Sequence, residues 1–321
     1  MRIGLNLPTY VAAGADPVER LNRLEAEVEL AERLGFDNVL FGHHYVTRSS
    51  FLQPLSLVAH LAAGTSRIRL GFGVFLLPLH APIGLAEELS TLDLLTGGRL
   101  ILGVGAGYRP AEFAAMEVPF EARFARFERN ITLLQRLWSG ETVEYSDASG
   151  AMFEAKLNLM PAQAGGPPIW IGAKGPKALE RVARLDCSWL ALYGADGTDA
   201  LGETATQVRD HFRAYSRTVD RPFPVVADVF VAATDSLALE SARKYVRPGI
   251  VRPEHSSSEA DEALSKALVI GSIDTVAEHL ATWESTLGMT DAVLRIDLPE
   301  ASHSEVLETI DLLAQLISTN E

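Results

Sequence analysis

The 321-residue chain is 47% hydrophobic and carries 28 basic residues, 42 acidic residues and one cysteine. Its formal charge of -14 repels phosphate backbones and anionic lipid surfaces, which disfavours nucleic acid and membranes as partners. The single Cys187 excludes an intrachain disulfide and is typical of a reducing compartment. No apolar run is long enough for a signal peptide or a transmembrane span. These features predict a cytoplasmic protein with a large core.

Short apolar segments alternate with segments of helical periodicity along the chain. A cap and a proline at Asp16-Pro17 open the first helix, whose apolar residues recur at spacings of three and four until Gly35. Each apolar segment is typical of a strand that helices cover on both faces. The eight predicted strands are residues 2–7, 38–42, 68–77, 99–105, 168–173, 188–193, 225–233 and 292–298.

Eight strands that alternate with helices predict the α/β class and a closed (β/α)8 TIM barrel rather than an open doubly wound sheet. No linker divides the chain, so we expect a single barrel domain over residues 1–321. Residues 247–266 are rich in Pro, Ser and charge and have no firm assignment. A long excursion so late in a barrel predicts a lid-like insertion.

Two adjacent histidines, His43 and His44, follow the second predicted strand. Loops after the strands carry the chemistry of a barrel, so this position favours a functional role. Adjacent strand residues point to opposite faces, and no cluster with metal-ligand spacing accompanies the pair, which disfavours a metal site. A structural alternative stays open, in which one imidazole bonds a backbone carbonyl where the strand ends.

Two glycine-containing loops follow later strands. The segment GVGAGYRPAEF (103–113) lacks the glycine spacing of a dinucleotide site, yet its glycines favour either a ligand close to the backbone or tight packing at the barrel mouth. In WIGAKGPKALERVARL (170–185), the helix that opens at Pro176 and the nearby Lys174 and Lys177 favour an anion. An ordinary turn between strand and helix is the alternative there.

Read jointly, four segments resemble the bacterial luciferase-like monooxygenase superfamily. They are residues 35–44, 76–113, 126–138 and 167–185, and the resemblance runs from residue 1 to about residue 315. The resemblance implies a (β/α)8 barrel that binds a reduced flavin, or its deazaflavin relative, at the carboxyl ends of the strands. It also implies a non-prolyl cis peptide at Gly73-Val74.

The resemblance assigns roles to individual residues. His44 occupies the place of the family's catalytic histidine, whereas His43 stands where an acidic residue is usual. Ala106 occupies the place of a phosphate-binding arginine of luciferase, so other groups must hold the anion, and the displaced His80 is assigned no role. The residues that the resemblance assigns to cofactor binding are His43, Gly73, Val74, Gly105, Ala106, Gly107, Tyr108, Gly172, Ala173, Lys174 and Gly175.

Two activities follow from the resemblance. The first is a monooxygenase that receives reduced FMN from a separate flavin reductase and uses O2, through a flavin 4a-peroxide, on a small organic substrate. The second is an oxidoreductase dependent on the deazaflavin coenzyme F420, in which His44 assists hydride transfer. A catalytically silent flavin-binding protein is a third possibility. The segments 52–63 and 81–95 are apolar on more than one face, which predicts a homodimer, as the resemblance also implies.

Overall fold

The protein is described by a computed structural model, which covers residues 1–47, 49–146, 152–246, 250–251, 255–299 and 301–318. Each barrel strand pairs in parallel with the next one along the chain, and the last pairs with the first, so the sheet closes. The predicted TIM barrel and its eight strands are therefore confirmed. The strands are β1 Arg2–Leu7, β2 Asn38–Phe41, β3 Arg69–Phe72, β4 Leu100–Gly105, β5 Ile169–Gly172, β6 Ser188–Leu192, β7 Pro224–Val231 and β8 Asp291–Arg295.

Helices connect the strands and surround the barrel. The first begins as predicted, since the Asp16 side chain accepts a hydrogen bond from the Val18 amide, and it ends at Gly35 with a positive φ of 91°. No helix in the described ranges is long and apolar enough to cross a membrane. The helices are α1 Pro17–Leu34, α2 Pro54–Ala62, α3 Pro82–Leu95, α4 Pro110–Ala115, α5 Arg123–Trp138, α6 Pro176–Arg184, α7 Gly197–Ala214, α8 Asp235–Tyr245, α9 Ser257–Ala267, α10 Ile273–Leu287 and α11 His303–Ser318.

The barrel interior is packed rather than hollow. At the amino ends of the strands, Asp291 is fully buried and pairs with Arg2 at 2.6 Å and with Arg69 at 3.4 Å. These ion pairs occupy one end of the barrel, so the opposite end, where the strands have their carboxyl ends, is left for a ligand. The buried residues of the middle layer are Leu40, Ile101, Trp170, Leu190, Val226 and Val293.

The predicted lid-like insertion, residues 247–266, lies partly outside the described residues. Its described part includes most of α9, which begins with a capping box between Ser256 and Glu259. Leu264 of α9 packs with Tyr245 of α8 and Phe230 of β7 in a separate apolar cluster. The described part of α9 therefore adjoins the carboxyl end of β7, beside the barrel mouth, and closing of the insertion over that mouth stays a prediction.

Candidate active site

His43 is built into the barrel wall just beyond the end of β2. Only 2% of the residue is exposed, and its Nδ1 accepts a hydrogen bond of 3.2 Å from the Leu76 amide. The ring stacks on Phe75 at 4.6 Å and meets Tyr45 edge-on at 4.5 Å. The structural role considered for one histidine thus fits His43, except that the partner is a backbone amide instead of the expected carbonyl.

Burial keeps two histidines of this wall uncharged. Desolvation lowers the pKa of His43 to about 3, and the nearby His80 and His44 rings act in the same direction. Burial likewise lowers the pKa of His80 to about 4, and its ring stacks on Phe75 at 4.4 Å. Because it is enclosed, His43 is poorly placed to touch a cofactor, and its assignment to cofactor binding stays a prediction.

His44 lies in a different environment, although it is the next residue. Its side chain is 30% exposed, and its Nδ1 lies 3.1 Å from Oε1 of Glu112 on α4. The same carboxylate oxygen accepts a 3.0 Å hydrogen bond from the Tyr45 amide, and Glu112 itself is 1% exposed. The carboxylate of Glu112, from a helix distant in sequence, therefore lies beside the imidazole. The family usually has an acidic residue at the position of His43, and Glu112 supplies a carboxylate in its stead.

This contact selects one tautomer of His44. An ionised carboxylate only accepts hydrogen bonds, so a neutral His44 must carry its proton on Nδ1 and leave the lone pair on Nε2. A carboxylate that holds an imidazole in one tautomer and orientation prepares the other nitrogen to take up or return a proton. The arrangement can thus support general acid-base chemistry.

Several of the predicted cofactor-binding residues meet around Val74. The peptide Gly73-Val74 is cis, as predicted. A Cβ added to Gly105 would lie 2.6 Å from one Val74 methyl, and a Cβ on Gly172 would lie 3.1 Å from the other, so these two glycines make room for the valine. A Cβ on Gly42, in contrast, would have no atom within 4 Å. We call the surface formed by Gly73, Val74, Gly105 and Gly172 the valine platform.

The loop after β5 is held by a hydrogen bond at Ala173 and has open space beside Gly175. Trp189 donates a 3.1 Å hydrogen bond to the carbonyl of Ala173, while Lys174 is exposed and pairs with Asp196. Gly175 opens α6 with a φ of 87°, and a Cβ there would meet nothing within 4 Å. Backbone amides at the start of this helix are therefore accessible to an anion.

The loop after β4 lies beside it, because β4 and β5 are neighbours in the sheet. Gly107 has a φ of 76° and packs so closely on Phe113 that a Cβ would lie 2.8 Å from that ring. Tyr108 is 70% exposed, and Ala106 is partly buried. The two loops assigned to the cofactor phosphate are thus adjacent in space.

A polar pair lies deeper in the mouth. Arg295 of β8 bonds both carboxylate oxygens of Asp228 on β7, through Nε and through Nη2 at 2.5 Å. Burial acts to lower the pKa of Arg295, but the hydrogen bond and charge of Asp228 and the charge of Asp297 raise it. The guanidinium is therefore permanently charged. No group of three or more metal-ligating side chains occurs within the described ranges.

Comparison with known proteins identifies the fold as that of a known enzyme family. The model of the family described as luciferase-like monooxygenase matches residues 1–291. The chain belongs to this family. The protein is accordingly a luciferase-like oxidoreductase.

Two curated relatives and one solved structure are similar to this chain. The 4-hydroxyprotoasukamycin monooxygenase of Streptomyces nodosus is 28% identical over 95% of this chain and 88% of its own length. The F420-dependent hydroxymycolic acid dehydrogenase of Mycobacterium tuberculosis is 32% identical over 54% of this chain and 49% of its own length. The oxygenating component of 3,6-diketocamphane monooxygenase from Pseudomonas putida, solved with FMN, matches 99% of this chain and 96% of its own at a TM-score of 0.83 and 19% identity.

Sequence reasoning missed three polar residues of this luciferase-like site. Asp228 was detectable in principle, because it is the single charge inside an otherwise apolar strand segment, and Arg295 shares its mostly apolar segment only with Asp297. Glu112 carries no comparable signal, since it lies on a short helix 68 positions after His44. Only the fold brings that carboxylate to the histidine.

Proposed function

We propose that the protein is a monooxygenase that uses reduced FMN and O2 to oxygenate a small organic substrate. The observation that carries the proposal is the His44–Glu112 pair, in which a partly exposed imidazole is oriented by a buried carboxylate at the barrel mouth. The likeness to the Streptomyces monooxygenase, which extends over 95% of the chain, supports the same activity.

The residues around the mouth fit a flavin. The valine platform offers an apolar surface to a flat ring, and the open backbone at Gly175 offers amides to a phosphate. Lys174, although paired with Asp196, adds positive charge near that position. When bound, the reduced flavin supplies the electrons with which O2 is activated.

The chain's own residues then handle protons and water. His44 uses Nε2 to accept a proton from the substrate or to return one, while Glu112 keeps Nδ1 protonated and the ring in place. The packed barrel wall excludes water from one side of the mouth, and the insertion beside β7 is the proposed cover for the other. A separate flavin reductase is the expected source of the reduced cofactor.

A second candidate is an F420-dependent oxidoreductase. Two observations favour it: the 32% identity to the mycobacterial F420-dependent dehydrogenase over 187 residues, and the alanine at position 106, which leaves the phosphate loop without the arginine of luciferase. In this activity His44 would move the proton that accompanies hydride transfer.

Anaerobic titration separates the two candidates. The purified protein is titrated with reduced FMN and with reduced F420, and oxygen is then admitted. We expect saturable binding of reduced FMN and a rate of FMN reoxidation that differs from that of free FMN. Saturable binding of F420 alone, with no change in oxygen consumption, would establish the second candidate. If the protein binds neither cofactor, both proposals are wrong.

A further inference from the structure

The polar pair Asp228–Arg295 faces the barrel interior. Val226 and Val293 belong to the interior layer, and side chains two residues apart on a strand share a face. Asp228 and Arg295 therefore project inward, one step nearer to the mouth, from neighbouring strands in register. Their side chains are 16% and 20% exposed, so the pair is reachable from the mouth and is not sealed in the core.

The pair continues into a line of polar groups across the mouth. Asn6 of β1 is the register neighbour of Arg295, and its side-chain amide donates a 3.4 Å hydrogen bond to the Gly73 carbonyl of the valine platform. Asn6 is 6% exposed. The line thus joins the β7–β8 side of the mouth to the platform assigned to the cofactor.

Arg295 retains donors for a ligand. Its Nε and Nη2 bond Asp228, whereas Nη1 donates no hydrogen bond to any residue of the described part of the chain. On β6, the strand that pairs with β7, Leu192 is 62% exposed although it lies two positions after the interior-facing Leu190. An exposed leucine that points inward indicates open space in front of this side of the mouth. The space is bounded by an apolar side chain and by an arginine with unused N–H groups.

The negative charges around Arg295 determine which kind of oxygen atom it can bind. The positive charge of the guanidinium is already balanced by the Asp228 carboxylate, to which it donates two hydrogen bonds. The negative charge of Asp297 also acts on the guanidinium. An anionic ligand would have to approach a partly buried carboxylate at short range, where repulsion is poorly screened. A neutral carbonyl oxygen can accept the remaining N–H without that repulsion.

We propose that Arg295 binds a neutral carbonyl oxygen in the barrel mouth. The oxygen belongs either to the organic substrate, whose apolar body would lie against Leu192, or to the pyrimidine ring of the flavin. The inference rests on the proposed function in taking this mouth as the site of reaction. Beyond that function, the inference specifies the ligand group that Arg295 binds, which is a neutral carbonyl rather than a carboxylate.

The test compares two conservative substitutions at opposite ends of the barrel. Arg295→Lys keeps the charge that compensates Asp228 but removes the planar fork of donors. Arg2→Lys is the matched control, because Arg2 grips Asp291 through Nε and Nη2 in the same way at the amino end. Should R295K fail to fold, the double variant Asp228→Asn with Arg295→Gln removes both charges together.

Four probes are bound to each protein: FMN and F420 by fluorescence, and cyclohexanone and cyclohexanecarboxylate by ligand-observed NMR without cofactor. We expect R295K to weaken cyclohexanone or a cofactor by about tenfold or more relative to R2K. Loss of cyclohexanone alone identifies the substrate as the source of the carbonyl, and loss of a cofactor alone identifies the flavin.

Two results would overturn the inference. One is binding of cyclohexanone and of both cofactors by R295K that is no weaker than binding by R2K. The other is wild-type affinity for cyclohexanecarboxylate equal to or greater than that for cyclohexanone. Failure of the proposed function is a separate result, since it requires that the wild-type protein bind neither FMN nor F420.

Discussion

His44 and Glu112 are 68 positions apart in the chain, yet the fold places the Glu112 carboxylate 3.1 Å from Nδ1 of the imidazole. His43, the adjacent residue, is enclosed by aromatic rings and packs in the barrel wall. Two neighbouring histidines thus have different surroundings because the chain leaves β2 between a packed wall and an open mouth.

Replacing His44 by Ala should lower turnover by about two to four orders of magnitude, the usual contribution of general acid-base catalysis. FMN affinity should change little, because the proposed role places the imidazole at the reacting centre rather than at the loops proposed to bind the phosphate. Single-turnover kinetics and a fluorescence titration with FMN measure the two effects. Full activity of H44A, or loss of flavin binding, would contradict the assigned role.

Replacing Glu112 by Gln should lower kcat at least about tenfold while leaving cofactor affinity unchanged, because the amide can present a donor to Nδ1 and favour the wrong tautomer. Glu27→Gln is the matched control: Glu27 is also a buried glutamate, but it is hydrogen-bonded to Arg20 at 2.9 Å, and His303 lies 3.6 Å away, beyond hydrogen-bond distance. A kcat of E112Q equal to that of E27Q would show that Glu112 only supports the packing.

At the scale of elements, the pairing of β4 with β5 brings two loops of the chain together. The first loop is packed on α4 through Gly107 and Phe113, and the second is held by Trp189 at Ala173. Packing holds the first loop and a hydrogen bond holds the second, while the backbone at Gly175 is open in front of α6. This arrangement underlies the prediction that anion binding and the chemistry at His44 depend on different residues.

Replacing Gly175 by Asp should weaken FMN binding by setting a carboxylate against the phosphate, with a smaller effect on turnover at saturating FMN. Gly175→Asn is the control, since it introduces a side chain of the same size at the same positive φ without the charge. The difference in FMN dissociation constant between the two variants isolates the charge. Equal constants would place the phosphate elsewhere.

One buried histidine, His43, and one partly buried histidine, His80, affect the stability of the whole molecule. The pKa values of His43 and His80 are about 3 and about 4 in the folded protein, below the ordinary value of 6.5. The unfolded chain therefore binds more protons at acidic pH. Their contribution to stability is complete above about pH 6.5 and is lost as the pH falls toward the folded-state values.

The loss should be about 1.4 kcal/mol per pH unit for each histidine within that window. Replacing His80 by Phe, which preserves stacking on Phe75, should make the urea midpoint less sensitive to pH between about 6.5 and 4. Urea unfolding of both proteins at several pH values provides the comparison. Identical slopes would rule out the histidine as a source of acid sensitivity.

We expect a homodimer through α2 and α3, and the structure shows which apolar residues of α3 stay exposed for such a contact. Most apolar residues of α3 are buried within the chain, whereas Leu94 and Leu95 are 44% and 58% exposed. Light scattering at micromolar concentration should report twice the mass of the chain, and Leu95→Glu should shift the population toward the monomer. A monomeric wild-type protein would contradict the prediction.

The barrel, its eight strands and the start and end of α1 were predictable from the sequence, because periodicity, caps and short apolar segments act over a few residues. Family resemblance predicted the cis peptide at Gly73-Val74, which is present, and a catalytic role for His44, which stays a prediction. Tertiary structure alone decided that Glu112 orients His44 and that Asp228 grips Arg295, since these contacts join residues 68 and 67 positions apart. It also decided that Gly105 and Gly172 make room for Val74, because the need for a glycine depends on which atoms of other strands lie beside it.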